Sequence, residues 1–219
     1  MTILSRLSLL ACVLSSMVPH LSAAGVTYLV SANTSSLSGQ NGYLDLQLEP
    51  GPSPTNVSTA SVTHFTSNGT LGGSAILTGD AIGQLPGTVS LDNKTVFNDY
   101  FQPMTFGTSE SFEVTLNGPA PAGGGPSSFN IAFYASDQST PLLTDSADGD
   151  AGQIVVNADG STTPSTSPSA VGAQPALTIS LVQPVTTIPE PSQWKLFSLL
   201  FITLTFLRAH TKSLPTARR

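Results

Sequence analysis

The chain has 219 residues, a formal net charge of −6, and only 9% charged side chains. Its charges are segregated, because residues 25 to 188 hold twelve acidic residues and a single basic one, Lys94, which gives 1 − 12 = −11 for this segment. Such a segment argues against nucleic-acid binding, which needs Lys and Arg to contact phosphates, and is compatible with a divalent cation or with solubility outside the cell. The single cysteine, Cys12, lies near the N-terminus, so the segment has no disulfide, cysteine nucleophile or cysteine-ligated zinc.

Residues 1–24 are predicted to be a signal peptide. Arg6 precedes an apolar stretch from Leu7 to Val18, and Ser22-Ala23-Ala24 supplies the small residues that signal peptidase requires before its cleavage site. We therefore expect cleavage between Ala24 and Gly25. The alternative is a lipoprotein signal ending at Cys12, although Leu10 is bulky for its position in such a signal.

The segment from residue 25 to residue 183 is predicted to be an all-β domain. Tyr43 to Glu49 alternates leucines with polar residues, as a half-buried strand requires, and residues 111–116 and 128–134 alternate in the same way, with Phe112 and Phe129 facing inward. Asn-Gly and Asp-Gly turns, such as Asn41-Gly42, separate the strands. The remaining strand candidates are residues 26–32, 60–65, 74–78, 88–91, 100–106, 153–157 and 176–182. Short strands at regular spacing predict a β-sandwich of jelly-roll or immunoglobulin-like kind.

Two segments are predicted to be loops. Pro119 to Pro126 contains three consecutive glycines and is predicted to be a long hairpin connection between the strands that flank it. Ser161 to Pro175 contains seven Ser or Thr and three Pro residues, which is typical of a surface loop before the last strand. Gln183 to Ile188 would then be the tether that follows the domain.

The C-terminal segment combines a short motif, an apolar run and a basic tail. Pro189-Glu190-Pro191-Ser192 precedes the apolar run from Leu196 to Leu207, and the tail from residue 208 to residue 219 holds four Lys or Arg residues. Twelve apolar residues span about 18 Å as a helix, so the span must include flanking residues to approach a bilayer core of about 30 Å. We predict a membrane helix over about residues 193–207 with a cytoplasmic C-terminus. The alternative is a buried helix followed by a basic tail.

The order of motif, apolar helix and basic tail resembles the PEP-CTERM sorting signal of bacterial surface proteins. That resemblance implies an exosortase and a signal peptidase as partners during export. It also implies a precursor anchored in the inner membrane, which is then delivered to the cell surface or the extracellular matrix.

The ectodomain is similar to a family of PEP-CTERM-sorted bacterial ectodomains for which no activity is established. The similarity covers most of residues 26 to 183. It is carried by Ser36 to Leu46, Leu85-Pro86-Gly87, Asn98-Asp99-Tyr100 and Thr105-Phe106-Gly107. It implies export and a β-rich fold, and it assigns no catalytic residue.

One acidic loop is a candidate calcium site. Asp145, Asp148 and Asp150 lie within six residues around Gly149, and clustered carboxylates can supply the oxygen ligands that calcium prefers. The alternative is a solvated turn, in which Asp and Gly are favoured for backbone reasons.

No residue is predicted to be catalytic. His64 lacks a recognisable partner in the sequence, and we expect it to be structural or exposed. Asp45 and Glu49 would lie about 13 Å apart on one strand, beyond the roughly 5 to 9.5 Å of glycosidase carboxylates. Glu110 and Glu113 have odd spacing, so they are expected on opposite faces.

Three aromatic residues have two alternative roles. Tyr100, Phe101 and Phe106 could form a platform for a sugar, but core packing is the expected use of all three. The sequence thus favours a non-enzymatic surface or matrix protein with an adhesive or polysaccharide-associated role, as in a biofilm rich in exopolysaccharide. The alternatives are a carbohydrate-binding module and a secreted hydrolase.

Overall fold

The computed structural model describes residues 25–51, 58–117, 126–169 and 174–182. The predicted signal peptide, tether and sorting signal lie outside these residues, as does nearly all of the predicted loop at 119–126. In the described part of the chain, no helix has the length and apolarity to cross a membrane.

The described residues form a nearly all-β domain with one short 3-10 turn at Ser35–Leu37. In chain order the strands are β1 (Val26–Asn33), β2 (Asn41–Glu49), β3 (Thr59–Ser67), β4 (Thr70–Leu71), β5 (Ile76–Thr78), β6 (Ile82–Gly83), β7 (Val89–Asp92), β8 (Asp99–Thr105), β9 (Ser109–Asn117), β10 (Ser127–Ala135), β11 (Pro141–Leu142), β12 (Asp150–Val156), β13 (Thr162–Thr166) and β14 (Leu177–Leu181).

Within the described ranges, these strands build two antiparallel sheets. The six-stranded sheet has the order β14-β1-β9-β3-β7-β6. The eight-stranded sheet has the order β13-β12-β10-β2-β8-β4, with β11 paired to β10 and β5 paired to β8. The prediction of an all-β fold is confirmed, and the two sheets are consistent with a β-sandwich.

A single hydrophobic core takes one face from each sheet. Leu44, Leu46 and Leu48 of β2 are completely buried, while β9 contributes Phe112 and β10 contributes Phe129. The alternation predicted for these three strands is therefore confirmed. Burying each such side chain contributes roughly 1.5 to 3 kcal/mol, so one inward charge would remove much of the stability of a domain this size.

The core lies entirely upstream of the C-terminal segment. The chain divides into two compact units, Met1–Val182 and Gln183–Arg219. The buried hydrophobic residues of the described part run from Tyr28 to Leu177, all in the first unit. A recombinant segment of residues 25–188 therefore contains every described strand and all of this core, and we expect it to fold by itself.

Three details of the predicted connections are wrong. β9 and β10 do not form a hairpin, because β9 belongs to the six-stranded sheet and β10 to the eight-stranded one. Thr162–Thr166 is strand β13 rather than loop, and it pairs with β12. Pro164 has no backbone N–H, and it is tolerated because β13 lies at the edge of its sheet, where the outward-facing backbone groups have no neighbouring strand to bond to.

Asn41-Gly42 starts β2 instead of forming a turn. A Cβ at Gly42 would come within 2.3 Å of the carbonyl oxygen of Tyr134 and 2.5 Å of the Phe106 ring. Gly42 is thus required by the close approach of β10 and not by a turn.

Candidate functional site

The face of the eight-stranded sheet that points away from the core carries an unusual set of side chains. We call this surface the outer face. It consists of Tyr43, Asp45 and Gln47 of β2, Asp99 and Phe101 of β8, Asn130 and Tyr134 of β10, and Asp150 and Gln153 of β12. The strand register brings these residues together, since Asp45 lies opposite both Phe101 and Ala132, and Ala132 lies opposite Asp150.

Three aromatic rings pack together on the outer face. Tyr43 and Phe101 stack with ring centroids 4.4 Å apart and an interplanar angle of 12°. Phe101 also contacts Tyr134, at 5.9 Å and 49°. The hydroxyl of Tyr43 accepts a hydrogen bond from Nε2 of Gln138 at 2.9 Å, which fixes the ring at the edge of the group. The prediction of core packing is confirmed for Tyr100 and Phe106. Phe101 is also buried, at 9% exposure, but it packs against Tyr43 on the opposite face of the sheet rather than in the main hydrophobic cluster.

Two buried carboxyl groups lie next to this aromatic cluster on the same sheet face. Asp45 is 3% exposed and Asp99 is 9% exposed, and their side chains are in hydrogen-bond contact. Burial raises the pKa of Asp45 to about 9, assisted by the contact with Asp99 and by its charge. Burial also raises the pKa of Asp99. The pair therefore retains a proton at neutral pH, and one of the two carboxyl groups can donate a hydrogen bond.

A third carboxyl group stands at the side of the pair. Asp150 is half-buried, and its pKa is raised to about 6 by burial and then by the charges of Glu49 and Asp148. The pKa of the Tyr134 phenol is raised first by burial and then by the charges of Asp45, Asp150 and Asp99. All three carboxyl groups thus lie within electrostatic range of one hydroxyl.

Side-chain amides complete the outer face. Gln47 donates from Nε2 to Oδ2 of Asp45 at 2.7 Å, and Gln153 donates from Nε2 to Oδ1 of Asn130 at 3.0 Å. Each amide uses one group in these bonds and has further donor or acceptor capacity for a bound molecule. The outer face therefore combines flat aromatic surface with carboxyl and amide groups.

The three residues of the predicted calcium loop are not brought together as one site. Asp145 and Asp148 are exposed, whereas Asp150 opens β12 and turns toward the outer face. The backbone N–H of Gly149 bonds to the carbonyl of Ser146 at 3.1 Å, which closes a turn in this loop. Among the described residues, no group of three or more His, Cys, Asp or Glu side chains is arranged to hold a metal ion. Calcium binding at this loop stays a prediction.

His64 lies on the exposed side of the other sheet. Its side chain is 75% exposed and its φ is 54°, at the point where the register of β3 with β9 shifts. Nδ1 lies 3.1 Å from Oε2 of Glu113 and 3.3 Å from Oγ1 of Thr63. Both contacts are made to the same nitrogen, whereas a catalytic relay needs one partner on each nitrogen.

Glu110 and Glu113 point to opposite faces of β9, as predicted. Glu113 is half-exposed beside His64, while Glu110 is buried at the end of the sheet. In the described part of the chain, neither carboxyl oxygen of Glu110 has a hydrogen-bond partner, and burial raises its pKa to about 7. A pocket lined by Ser31, Asn68 and Ser109 adjoins it.

Sequence reasoning missed the outer face as a site. Asp45 and Phe101 become neighbours only through the pairing of β2 with β8, strands more than fifty residues apart. A local signal existed in β8, where Phe101 is out of phase with the inward Tyr100 and Met104. An aromatic residue on the polar side of a strand is such a signal. Comparison of the chain with protein-family models, with curated proteins and with solved structures found no match.

Proposed function

We propose that this chain is an exported surface or matrix protein whose outer face binds polysaccharide. The observation that carries the proposal is the cluster of Tyr43, Phe101 and Tyr134 on one sheet face, surrounded by carboxyl and amide groups. Aromatic rings offer apolar surface to the C–H face of a sugar, and a few convergent polar groups orient its hydroxyls. The aromatic surface open to a ligand belongs to half-buried Tyr43 and Tyr134, while Phe101, at 9% exposure, packs between them outside the main hydrophobic cluster.

Export is proposed on the basis of the sequence alone. The N-terminal signal, the motif at Pro189 to Ser192 and the basic tail together favour delivery by an exosortase to the surface or matrix. A polysaccharide-binding face suits that destination, since it would retain the released domain in the matrix. The sandwich subtype, jelly-roll or immunoglobulin-like, stays a prediction.

The carboxyl pair does not favour hydrolysis. Asp45 and Asp99 are in hydrogen-bond contact, which is closer than the roughly 5 to 9.5 Å at which glycosidase carboxyl groups flank a scissile bond. We therefore propose that these buried groups contribute negative charge below the binding surface and do not flank a scissile bond.

Affinity electrophoresis tests the proposal. The recombinant segment 25–188 should be retarded in gels that contain a soluble polysaccharide ligand, and Tyr43→Ala and Tyr134→Ala should each reduce the retardation. Leu29→Ala is the matched control, because Leu29 is an exposed apolar residue on β1 of the other sheet. Equal loss in all three variants, with unchanged melting temperatures, would show that the binding surface lies elsewhere.

A further inference from the structure

The outer face carries negative charge that the described residues do not neutralise. The Asp45–Asp99 pair, which shares one proton at neutral pH, and Asp150 contribute to it, and Glu49 and Asp148 lie within electrostatic range of Asp150. The only Lys or Arg between residues 25 and 188 is Lys94, and its Nζ is bonded to Asp92 Oδ2 at 2.5 Å. This segment of the chain therefore provides no second Lys or Arg that could balance the outer face.

Two buried oxygen atoms on the outer face receive no donor from any other residue. Within the described ranges, Oδ1 of Asp45 and Oδ1 of Asp99 have no hydrogen-bond partner apart from what the contact between the two carboxyl groups supplies. Oδ2 of Asp45 is satisfied by Gln47, so the deficiency is confined to one side of that group. One proton in the carboxyl pair leaves one negative charge buried there, which is costly, and a ligand that brings positive charge close to the pair would relieve that cost.

We infer that the polysaccharide bound by the outer face carries free amino groups, with an ammonium ion seated beside Tyr134 and contacted by Asp150. This inference rests on the proposed function and names the chemical class of its ligand. Half-buried Asp150 is the accessible carboxylate, while the covered Asp45–Asp99 pair contributes the field of its negative charge. The aromatic cluster attracts the same ion through the faces of its rings.

An ammonium ion fits this set of groups better than a metal ion does. Calcium takes six to eight oxygen ligands, and aromatic rings are not among them. An ammonium ion is satisfied by three acceptors and gains from a neighbouring ring. The outer face supplies both kinds of contact within range of Tyr134.

Proton release gives the inference a specific signature. The Asp45–Asp99 pair holds a proton at neutral pH because burial raises the pKa of both groups. A cation seated nearby stabilises the ionised form, so binding of the cationic sugar should displace part of this proton into the buffer. Binding of a neutral sugar should leave the proton in place.

Titration calorimetry of the segment 25–188 tests the inference with three oligosaccharides of equal length and linkage. These are the hexamers of glucosamine, of N-acetylglucosamine and of glucose, all β-1,4-linked. We expect the glucosamine hexamer to bind about tenfold more tightly than the other two, as one charge-assisted hydrogen bond would give. The preference should shrink in about 1 M sodium chloride, where the Debye length is about 3 Å.

Matched variants locate the effect. Asp150→Asn should remove most of the preference for the glucosamine hexamer over the glucose hexamer. Glu113→Gln, which removes the same charge from the exposed face of the other sheet, should leave the preference unchanged. Calorimetry of the glucosamine hexamer in two buffers of different ionisation enthalpy, at a pH where its amino groups are already fully protonated, should show proton release.

Each remaining outcome contradicts a different claim. Equal affinity for all three hexamers would overturn the inference and leave the proposed function standing. If the segment binds none of these hexamers and no other polysaccharide, the proposed function itself is overturned. Proton release on addition of calcium chloride, with none on addition of the glucosamine hexamer, would identify a metal site and overturn the inference.

Discussion

Glu110→Gln should stabilise the domain at about pH 8 and change its stability little at about pH 4. Glu110 is buried at the start of β9, a central strand of the six-stranded sheet. Among the described residues, its two carboxyl oxygens have no hydrogen-bond partner. Burial raises the pKa of this carboxyl from 4.5 to about 7. The glutamine variant keeps the shape of the side chain, sacrifices no described hydrogen bond and cannot ionise.

The sign of the pH dependence follows from the raised pKa. As pH increases above 4.5, the unfolded chain releases this proton while the folded domain retains it, so the free energy of unfolding falls until about pH 7. The fall amounts to roughly 3 kcal/mol for Glu110 alone, because one pKa unit corresponds to about 1.4 kcal/mol. The glutamine variant should be free of this loss. Asp45, Asp99 and Asp150 contribute in the same direction in both proteins and cancel in the comparison.

Urea denaturation of the segment 25–188 at the two pH values measures this difference. Glu113→Gln is the matched control, since it removes a charge from the same strand on the exposed side, and it should show no comparable gain at the higher pH. If Glu110→Gln changes the free energy of unfolding equally at both pH values, the carboxyl is not buried as described. If it destabilises the domain at about pH 8, the carboxylate has a partner and the argument fails.

The remaining predictions concern a core strand, a metal and export. Leu46→Asp should destabilise the domain by more than about 4 kcal/mol in urea denaturation, because it places a charge in the core. Gln47→Asp should destabilise it less, since this variant loses the hydrogen bond to Asp45 and adds a third carboxyl group beside Asp45 and Asp99. Equal losses in the two variants would show that the face assignment is wrong. If calcium binds the 145–150 loop, the melting temperature should be higher in millimolar calcium than in chelator, and Asp148→Asn should abolish this difference. An unchanged melting temperature would identify the loop as a turn only. Mass spectrometry of the surface-released protein should find no peptide from residues 1–24 or from Phe197 onward, and recovery of an intact C-terminus would favour a permanent membrane anchor.

The sequence was sufficient for features that depend on local alternation. Leu44, Leu46 and Leu48 repeat every second residue, and the structure buries all three. The opposite orientation of Glu110 and Glu113 follows from the same period. These predictions hold because the two faces of a strand are set by its own pleat.

Features that depend on pairing between distant strands were not predictable in this way. The alternation places Asp45 on a solvated face, but in the structure Phe101 and Ala132 lie opposite it on the neighbouring strands and it is 3% exposed. Gln47→Asp is unfavourable for a similar reason, because Gln47 lies directly opposite Asp99 and donates a hydrogen bond to Asp45. Thr162–Thr166 was predicted to be a loop from its composition, yet its backbone completes the edge of a sheet, where a strand needs few apolar side chains.

The most direct test of the account is to map where a sugar binds. Two-dimensional amide spectra of the isotope-labelled segment 25–188 can be recorded during titration with the glucosamine hexamer, and with cellohexaose for comparison. The account predicts saturable shifts concentrated on β2, β8 and β10, centred on Tyr43, Phe101 and Tyr134. Saturable shifts confined to the six-stranded sheet, for example around His64 or around the pocket beside Glu110, would contradict it.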